Sequence, residues 1–277
     1  MRRACVIGWP IEQSRSPVIH GYWLKRYKID GLYGAKAVRP EEFAAFLASL
    51  AVKGYAGANV TLPHKEEALR LADSVDASAD AIGAANTLWL DEAGKLHASN
   101  TDAYGFMTNL EQQAPGWNDK KRPVIVLGAG GAARAILHGL IEAGVGKILL
   151  LNRSRDRAEA LAKNFGRKVE VHDWNKRNET LAGGGLLVNT TSLGMMGKPA
   201  LEIDLATLPK DAVVADIVYN PLETELLAAA HARGNRIVDG LGMLLYQAVP
   251  GFERWFGVRP EVTPELRKQI AATLGRQ

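Results

Sequence analysis

The sequence predicts an α/β protein of two domains, one of them built on a doubly wound parallel sheet, and three observations carry that expectation. Residues 123–157, PVIVLGAGGAARAILHGLIEAGVGKILLLNRSRDR, read as a buried strand (124–127), a glycine turn, an amphipathic helix and a second strand (147–151). Apolar strands then alternate with helices, starting at Val124, Lys147, Val169, Leu186, Val213 and Arg236, which is the pattern of a parallel, Rossmann-type sheet. The chain has 277 residues, 47% of them hydrophobic and 23% charged, enough to bury two cores.

Taken in order, residues 4–8 (ACVIG) read as a buried strand followed by an irregular segment, 9–15. Ser16-Pro17 starts a helix, with Ser as N-cap and Pro at the first helical position. Val18, Tyr22 and Trp23 give that helix an apolar side, and it is expected to end near residues 30–31. A strand follows at 32–38. Pro40 opens a helix with Phe43, Phe46, Leu47 and Leu50 on one face. Residues 54–61 form the next strand, Pro63 starts another helix, and a short helix spans 77–82. A hairpin at 86–90 and 95–99 flanks the turn DEAG, and Asp102 caps a helix reaching about Leu110. The polar, turn-rich segment 112–122 (QQAPGWNDKKR) is the best linker candidate. From Gly240 onward the chain is mostly helical, punctuated by Pro250 and Pro264. The expected domains are 1–103, 104–239, and a helical stretch 240–277 that packs back on the first.

Composition narrows the function class. Cys5 is the one cysteine, which excludes an intramolecular disulfide, fits a reducing, cytoplasmic setting, and reads as a small core residue. The net charge of +4 is too diffuse to argue for nucleic acid. The six histidines have no metal-ligand spacing, so no metal is expected. Arg2 and Arg3 ahead of apolar residues superficially resemble a secretory leader, but Pro10, Glu12 and Gln13 cut the apolar stretch short, and no run reaches membrane-spanning length.

In the glycine turn, Gly128 allows the tight bend, Gly130 lets backbone approach a pyrophosphate, and Ala133 lets the helix pack close to the strands. An NAD site would carry an acidic residue about 20 positions on, to hold the ribose 2′-hydroxyl. Here the second strand ends in Asn152, Arg153 and Ser154, with Arg155 and Arg157 following. A guanidinium can fork onto a 2′-phosphate, so the expected cofactor is NADP. A solvated helix start decorated with arginines is the plain alternative.

In the first domain, Asn59 and Thr61 share one face of a strand end while Val60 faces the core. Lys65 falls in the first turn of a helix, the wrong end of the dipole for a cation, and that field favours the neutral amine a proton acceptor needs. The plain alternative is a solvated lysine offset by Glu66 and Glu67. Asp102 is equally readable as a helix N-cap, and Ser14 and Ser16 as part of a helix start.

Considered together, these motifs resemble the shikimate dehydrogenase family over nearly the whole chain. VIGWPIEQSRSPVIH resembles the family's serine motif, which implies that Ser14 and Ser16 bind the substrate carboxylate. NVTLPHK matches its most specific signature, implying substrate contacts from Asn59 and Thr61 and a catalytic Lys65. GAANT and SNTDAYG imply Asn86 and Thr101 as substrate ligands and Asp102 as the second catalytic residue. GAGGAARA and NRSRDR resemble the NADP turn and the 2′-phosphate clamp, which implies cofactor contacts from Gly128, Ala129, Gly130, Gly131, Ala132, Asn152, Arg153, Ser154 and Arg157. NTTSLGM places Thr190 and Thr191 near the cofactor, and VVADIVYNP places Tyr219 near substrate and nicotinamide. DGLGMLLYQA implies Gly240 and Met243 against the nicotinamide and Gln247 at the substrate. Trp9 and Gln13 depart from the Asn and His more usual there, and Ser154 from the usual Thr.

The resemblance implies reversible reduction of 3-dehydroshikimate to shikimate by NADPH, in aromatic amino acid biosynthesis. It also implies a small-molecule substrate, no nucleic-acid or membrane partner, and a monomer or homodimer. A quinate/shikimate dehydrogenase of broader specificity and a non-catalytic NADP-binding sensor are the alternatives. The sensor predicts loss of Lys65 or Asp102, and both are present.

Overall fold

The computed structural model describes residues 1–119 and 121–275. Lys120, in the segment read as a linker, and residues 276–277, at the end of the expected helical stretch, lie outside the described residues. The chain forms two compact units, Met1–Asp102 with Leu245–Ile270, and Ala103–Leu244 with a short stretch from Ala271.

The first unit contains β1 (Arg2–Gly8), α1 (Ser16–Arg26), β2 (Gly31–Ala37), α2 (Phe43–Ala48), β3 (Tyr55–Val60), α3 (Lys65–Leu71), β4 (Ser74–Val75), α4 (Ala77–Ile82), β5 (Thr87–Leu90) and β6 (Leu96–Ser99). Its six-stranded sheet runs β2-β1-β3-β5-β6-β4 and is mixed. β1 lies parallel to β2 and β3, whereas β5 pairs antiparallel with β3 and β6. One face of the sheet buries Ile7, Ala58, Leu88 and Ala98 against Phe43, Leu47 and Leu50. The helix Ala248–Phe256 covers the other side, contacting β1, β3 and β5. Its Trp255 is 1% exposed and donates through Nε1 to the Leu88 carbonyl at 2.8 Å.

The second unit starts with α5 (Asp102–Gln113), whose first residue belongs to the first unit. It continues with β7 (Val124–Leu127), α6 (Gly131–Glu142), β8 (Ile148–Asn152), α7 (Arg155–Lys163), β9 (Val169–Asp173), α8 (Arg177–Thr180), β10 (Leu186–Asn189), β11 (Val213–Asp216), α9 (Glu225–Ala232) and β12 (Arg236–Val238). Every pairing in its sheet is parallel, in the order β12-β11-β10-β7-β8-β9. That is the doubly wound Rossmann order, with the strand order reversing between β7 and β10. Continuous apolar strands such as VIVL and LLLN suit a sheet covered on both faces. Val124 and Val126 face one core and Ile125 and Leu127 the other, as a period of two requires. Three helices complete the chain: α10 (Leu241–Tyr246), α11 (Ala248–Phe256) and α12 (Pro264–Ala271).

Several local expectations are corrected. Ser16 is the first helical residue of α1 and not its cap. Arg15 holds the cap position, and the Ser14 hydroxyl accepts from the Ser16 N–H at 3.3 Å. That helix ends at Arg26, where Tyr27 leaves helical geometry and Lys28 takes a positive φ of 53°. The helix after Pro63 begins at Lys65, because the His64 N–H bonds the Thr61 carbonyl and turns the chain first. Segment 112–122 is no linker. Its described residues lie inside the second unit, where Ala114 and Trp117 are core residues and Arg122 donates to the Gly184 carbonyl.

Candidate functional site

Two clusters of predicted site residues form, one in each unit. In the first, the Lys65 Nζ donates to Asp102 Oδ2, with the two side chains 26% and 14% exposed. The other carboxylate oxygen, Oδ1, accepts from Asn86 Nδ2 at 2.7 Å. Asn86 is itself fixed, since its Oδ1 accepts from the Thr101 N–H (2.9 Å), the Thr101 hydroxyl (3.1 Å) and the Thr87 hydroxyl (2.9 Å). The Thr101 hydroxyl also lies 2.8 Å from the Gln247 carbonyl. A three-residue array, lysine, carboxylate and amide, is thereby held from both ends. Glu67 is engaged by Arg70, so it does not serve as the surface partner of Lys65. Asp102 is the first residue of α5, and both of its carboxylate oxygens go to side chains.

Asn59 lies at the next strand over. It is 5% exposed, and its Nδ2 donates to the Asn86 carbonyl and the Thr87 hydroxyl, each at 3.3 Å. Its Oδ1 accepts from the Tyr33 Oη at 2.6 Å, which fixes the amide orientation. Burial pushes the Tyr33 phenol well above its usual range, so it remains a donor. The Tyr33 ring lies flat on His20 at 3.9 Å between centroids. His20 is fully buried, and burial pushes its imidazole down to about 3, keeping it neutral. His64, ahead of Lys65, is anchored by a 2.7 Å hydrogen bond to the Val38 carbonyl and by stacking on Phe43. Thr61 is half-buried beside Gly8, and Ser14 is half-buried at the start of α1 next to a buried Ser16. Trp9, the departure from the family pattern, is 42% exposed under the Arg39 guanidinium.

The second cluster forms at the carboxyl ends of β7, β8, β10 and β11. Gly128 follows β7 with φ +105°, and a Cβ there would stand 2.7 Å from the Thr190 hydroxyl. The turn therefore requires glycine. The Thr190 hydroxyl donates to the Leu127 carbonyl at 2.7 Å, closing the turn from the neighbouring strand. Gly130 is the N-cap of α6, and a Cβ at Gly130 or Gly131 would meet nothing within 4 Å. The space beside these glycines is therefore open at the positive end of a 12-residue helix, a place that can hold an anion. The Asn152 Oδ1 accepts from the Ala129 N–H at 3.2 Å, joining the turn to the end of β8. Arg155 pairs with Glu159, whereas Arg153 and Arg157 are exposed and pair with no described residue. Two free guanidinium groups beside a helix start suit a second anion. Ser154 is the N-cap of that helix without a side-chain cap bond. The Thr191 hydroxyl donates to Asn189 Oδ1 at 2.7 Å. Tyr219 and Met243 are half-buried, and Gly240 is buried against the Ile217 and Val218 carbonyls.

Tyr33, Asn189 and Asp216 were not singled out from the sequence. Asn189 and Asp216 end the apolar strands LLVN and VVAD, and a polar residue at the carboxyl end of a parallel strand is a readable signal. Among the described residues, no helix is long and apolar enough to cross a membrane.

A mixed α/β unit holding a lysine–carboxylate–amide array and a Rossmann unit with a glycine turn define a class of two-unit α/β oxidoreductases. Three family models match in chain order: "Shikimate dehydrogenase substrate binding domain" at residues 6–88, "Shikimate / quinate 5-dehydrogenase" at 109–217, and "Shikimate 5'-dehydrogenase C-terminal domain" at 240–264. The chain belongs to the shikimate dehydrogenase family. A shikimate dehydrogenase (NADP(+)) of Rhodopseudomonas palustris is 57% identical over 273 residues, covering 99% of this chain and 97% of that one. Among solved structures, a quinate dehydrogenase from Corynebacterium glutamicum in complex with NAD superposes with a TM-score of 0.90 at 31% identity, covering 98% of each chain. A shikimate 5-dehydrogenase from Thermus thermophilus in complex with NADP(H) and shikimate gives 0.85 at 36% identity, covering 99% of each.

Proposed function

We propose that this protein is an NADP-dependent shikimate dehydrogenase, reversibly reducing 3-dehydroshikimate to shikimate. The observation that carries the chemistry is the array of Lys65, Asp102 and Asn86, supported by relatives of that activity at 54–57% identity. A C3 carbonyl being reduced gathers negative charge on its oxygen and needs a proton. The Lys65 ammonium supplies both field and proton, and in the reverse direction its amine accepts the hydroxyl proton. Asp102 holds the Lys65 Nζ through one oxygen while Asn86 pins the other, so the carboxylate cannot swing away. Ser14 and Ser16 take the substrate carboxylate, and Asn59, Thr61, Thr101 and Gln247 the rest of the ring.

The residues of the second cluster fit NADP. Gly128 and the open space over Gly130 and Gly131 admit a pyrophosphate at the start of α6, and Arg153 and Arg157 are free for a 2′-phosphate. When bound, that cofactor supplies or takes the hydride. Gly240 and Met243 complete the nicotinamide side. In this reading the unit of Met1–Asp102 with Leu245–Ile270 binds the substrate and the unit of Ala103–Leu244 the cofactor. The enzyme works in the cytoplasm as a monomer or homodimer, without a nucleic-acid partner, and its one buried cysteine fits that setting.

Quinate is the second reading, favoured by the quinate dehydrogenase among the structural neighbours. NADPH and NADH absorbance, followed with shikimate and then quinate against NADP⁺ and NAD⁺, separates the two. Shikimate with NADP⁺ is expected to give the highest kcat/KM; a preference for quinate or NAD⁺ overturns the assignment. In the same assay Lys65→Ala is expected to lower kcat by roughly 10²-fold or more with KM little changed. Near-full turnover would remove Lys65 from the mechanism.

A further inference from the structure

Asp216 closes β11 with a carboxylate that is 2% exposed and pairs with no cation among the described residues. Its three partners are neutral. Oδ1 accepts from Asn189 Nδ2 and from the Val218 N–H, each at 3.0 Å, and Oδ2 accepts from the Thr224 hydroxyl at 2.8 Å. Asn189 stands opposite Asp216 in the strand register and ends β10. Its Oδ1 accepts from the Thr191 N–H and hydroxyl, and its Nδ2 also donates to the Leu193 carbonyl. Thr224 in turn accepts the Leu227 N–H as N-cap of α9. One buried carboxylate thus ties together the turn after β10, the turn after β11 that leads to Tyr219, and the start of a helix. The Ile217 and Val218 carbonyls in that second turn lie against Gly240.

A buried ion without a counter-ion is costly, and burial pushes this carboxyl up to about 6. Stability alone would favour an amide here. The location explains why a carboxylate is kept. Both strands end at the carboxyl edge of an open parallel sheet, where such folds bind ligands, and the two turns carry Thr190, Thr191 and Tyr219. A carboxylate offers two acceptor oxygens to three converging donors, whereas an amide offers one.

We propose that Asp216 is a positioning residue for the nicotinamide end of the cofactor site. Through Asn189 and Val218 its carboxylate fixes the two strand-end turns, and it touches no ligand itself. The inference rests on the NADP reading above. The test compares binding of NADP⁺ and of 2′,5′-ADP, which keeps the 2′-phosphate and lacks the nicotinamide, by calorimetry on the full chain. In Asp216→Ala the NADP⁺ Kd is expected to rise by about fivefold or more while that of 2′,5′-ADP stays within about twofold. Equal weakening of both ligands means general loosening and overturns the proposal, as does an unchanged NADP⁺ Kd. If the alanine variant does not fold, Asp216→Asn is expected to give the same split at smaller amplitude, and no split overturns it. Wild-type protein that binds 2′,5′-ADP but shows no gain for NADP⁺ overturns the inference alone. Binding of neither overturns the NADP reading and the inference with it.

Discussion

Lys65 occupies the first turn of α3, where the helix field opposes a cation, and the structure compensates with a partner from 37 residues away. Its Asp102 contact is legible in the sequence as a motif and not as geometry, because nothing in NVTLPHK says which carboxylate will face it. Asn86 was readable in the same way. Tyr33 was not, since its role depends on Asn59 on a neighbouring strand end and on no local pattern. Asp216 makes a prediction at this scale. Its carboxyl is pushed up to about 6 by burial from the ordinary 3.8, with Asn189, Thr224 and the Val218 N–H facing it and no ionised partner among the described residues. The native state therefore holds its proton more tightly than the unfolded state, and this group's contribution to stability falls as pH rises from about 4 to about 6. Asp216→Asn removes that dependence. Relative to wild type it is expected to gain stability between pH 4 and pH 8, on the order of 3 kcal/mol at about 1.4 kcal/mol per tenfold change in proton affinity. Urea unfolding at the two pH values checks it, and a pH-independent difference between the two proteins refutes it.

At the scale of elements, the turn from β7 into α6 and the start of α7 divide the cofactor between backbone and side chain. The glycine turn offers N–H groups to any dinucleotide, whereas α7 carries Arg155 and Arg157 in its first turn and Arg153 just before its N-cap, where a helix favours carboxylates. Arg155 is neutralised by Glu159, which leaves Arg153 and Arg157 free, a distinction the sequence could not make. Arg153→Ala is expected to raise the NADP⁺ Kd by about tenfold and the NAD⁺ Kd by less than twofold, since one guanidinium–phosphate contact is lost from the first and nothing from the second. Equal effects in fluorescence titrations sink that role. Strands and helices with strong periodicity were legible because their apolar spacing is set locally. The errors fell where tertiary contacts decide, as in 112–122, whose polar composition hides Trp117 in a core.

At the scale of the molecule, the first unit is discontinuous in sequence. Residues 1–102 supply its six strands, yet α11, near the far end of the chain, covers one face of the sheet. Trp255 caps Leu88, the Arg2 guanidinium donates to the Trp255 carbonyl, and the Trp23 indole donates to the Glu261 carbonyl. A fragment of residues 1–102 is therefore expected to lack fixed tryptophan packing, read as a collapsed near-UV circular dichroism signal and exposed apolar surface. A cooperatively folded fragment would contradict this.

That discontinuity sets an order of events during synthesis. A ribosome adds about 5–20 residues per second, so more than 140 residues must follow Asp102 before Trp255 exists. For roughly 8–30 seconds the nascent strands of the first unit wait with one apolar face bare, and the β7–β12 sheet, complete only at Val238, can close just before Trp255 arrives. The part of the chain that carries Lys65 is made before the second unit's sheet and finished after it, which leaves its apolar face open to aggregation at birth.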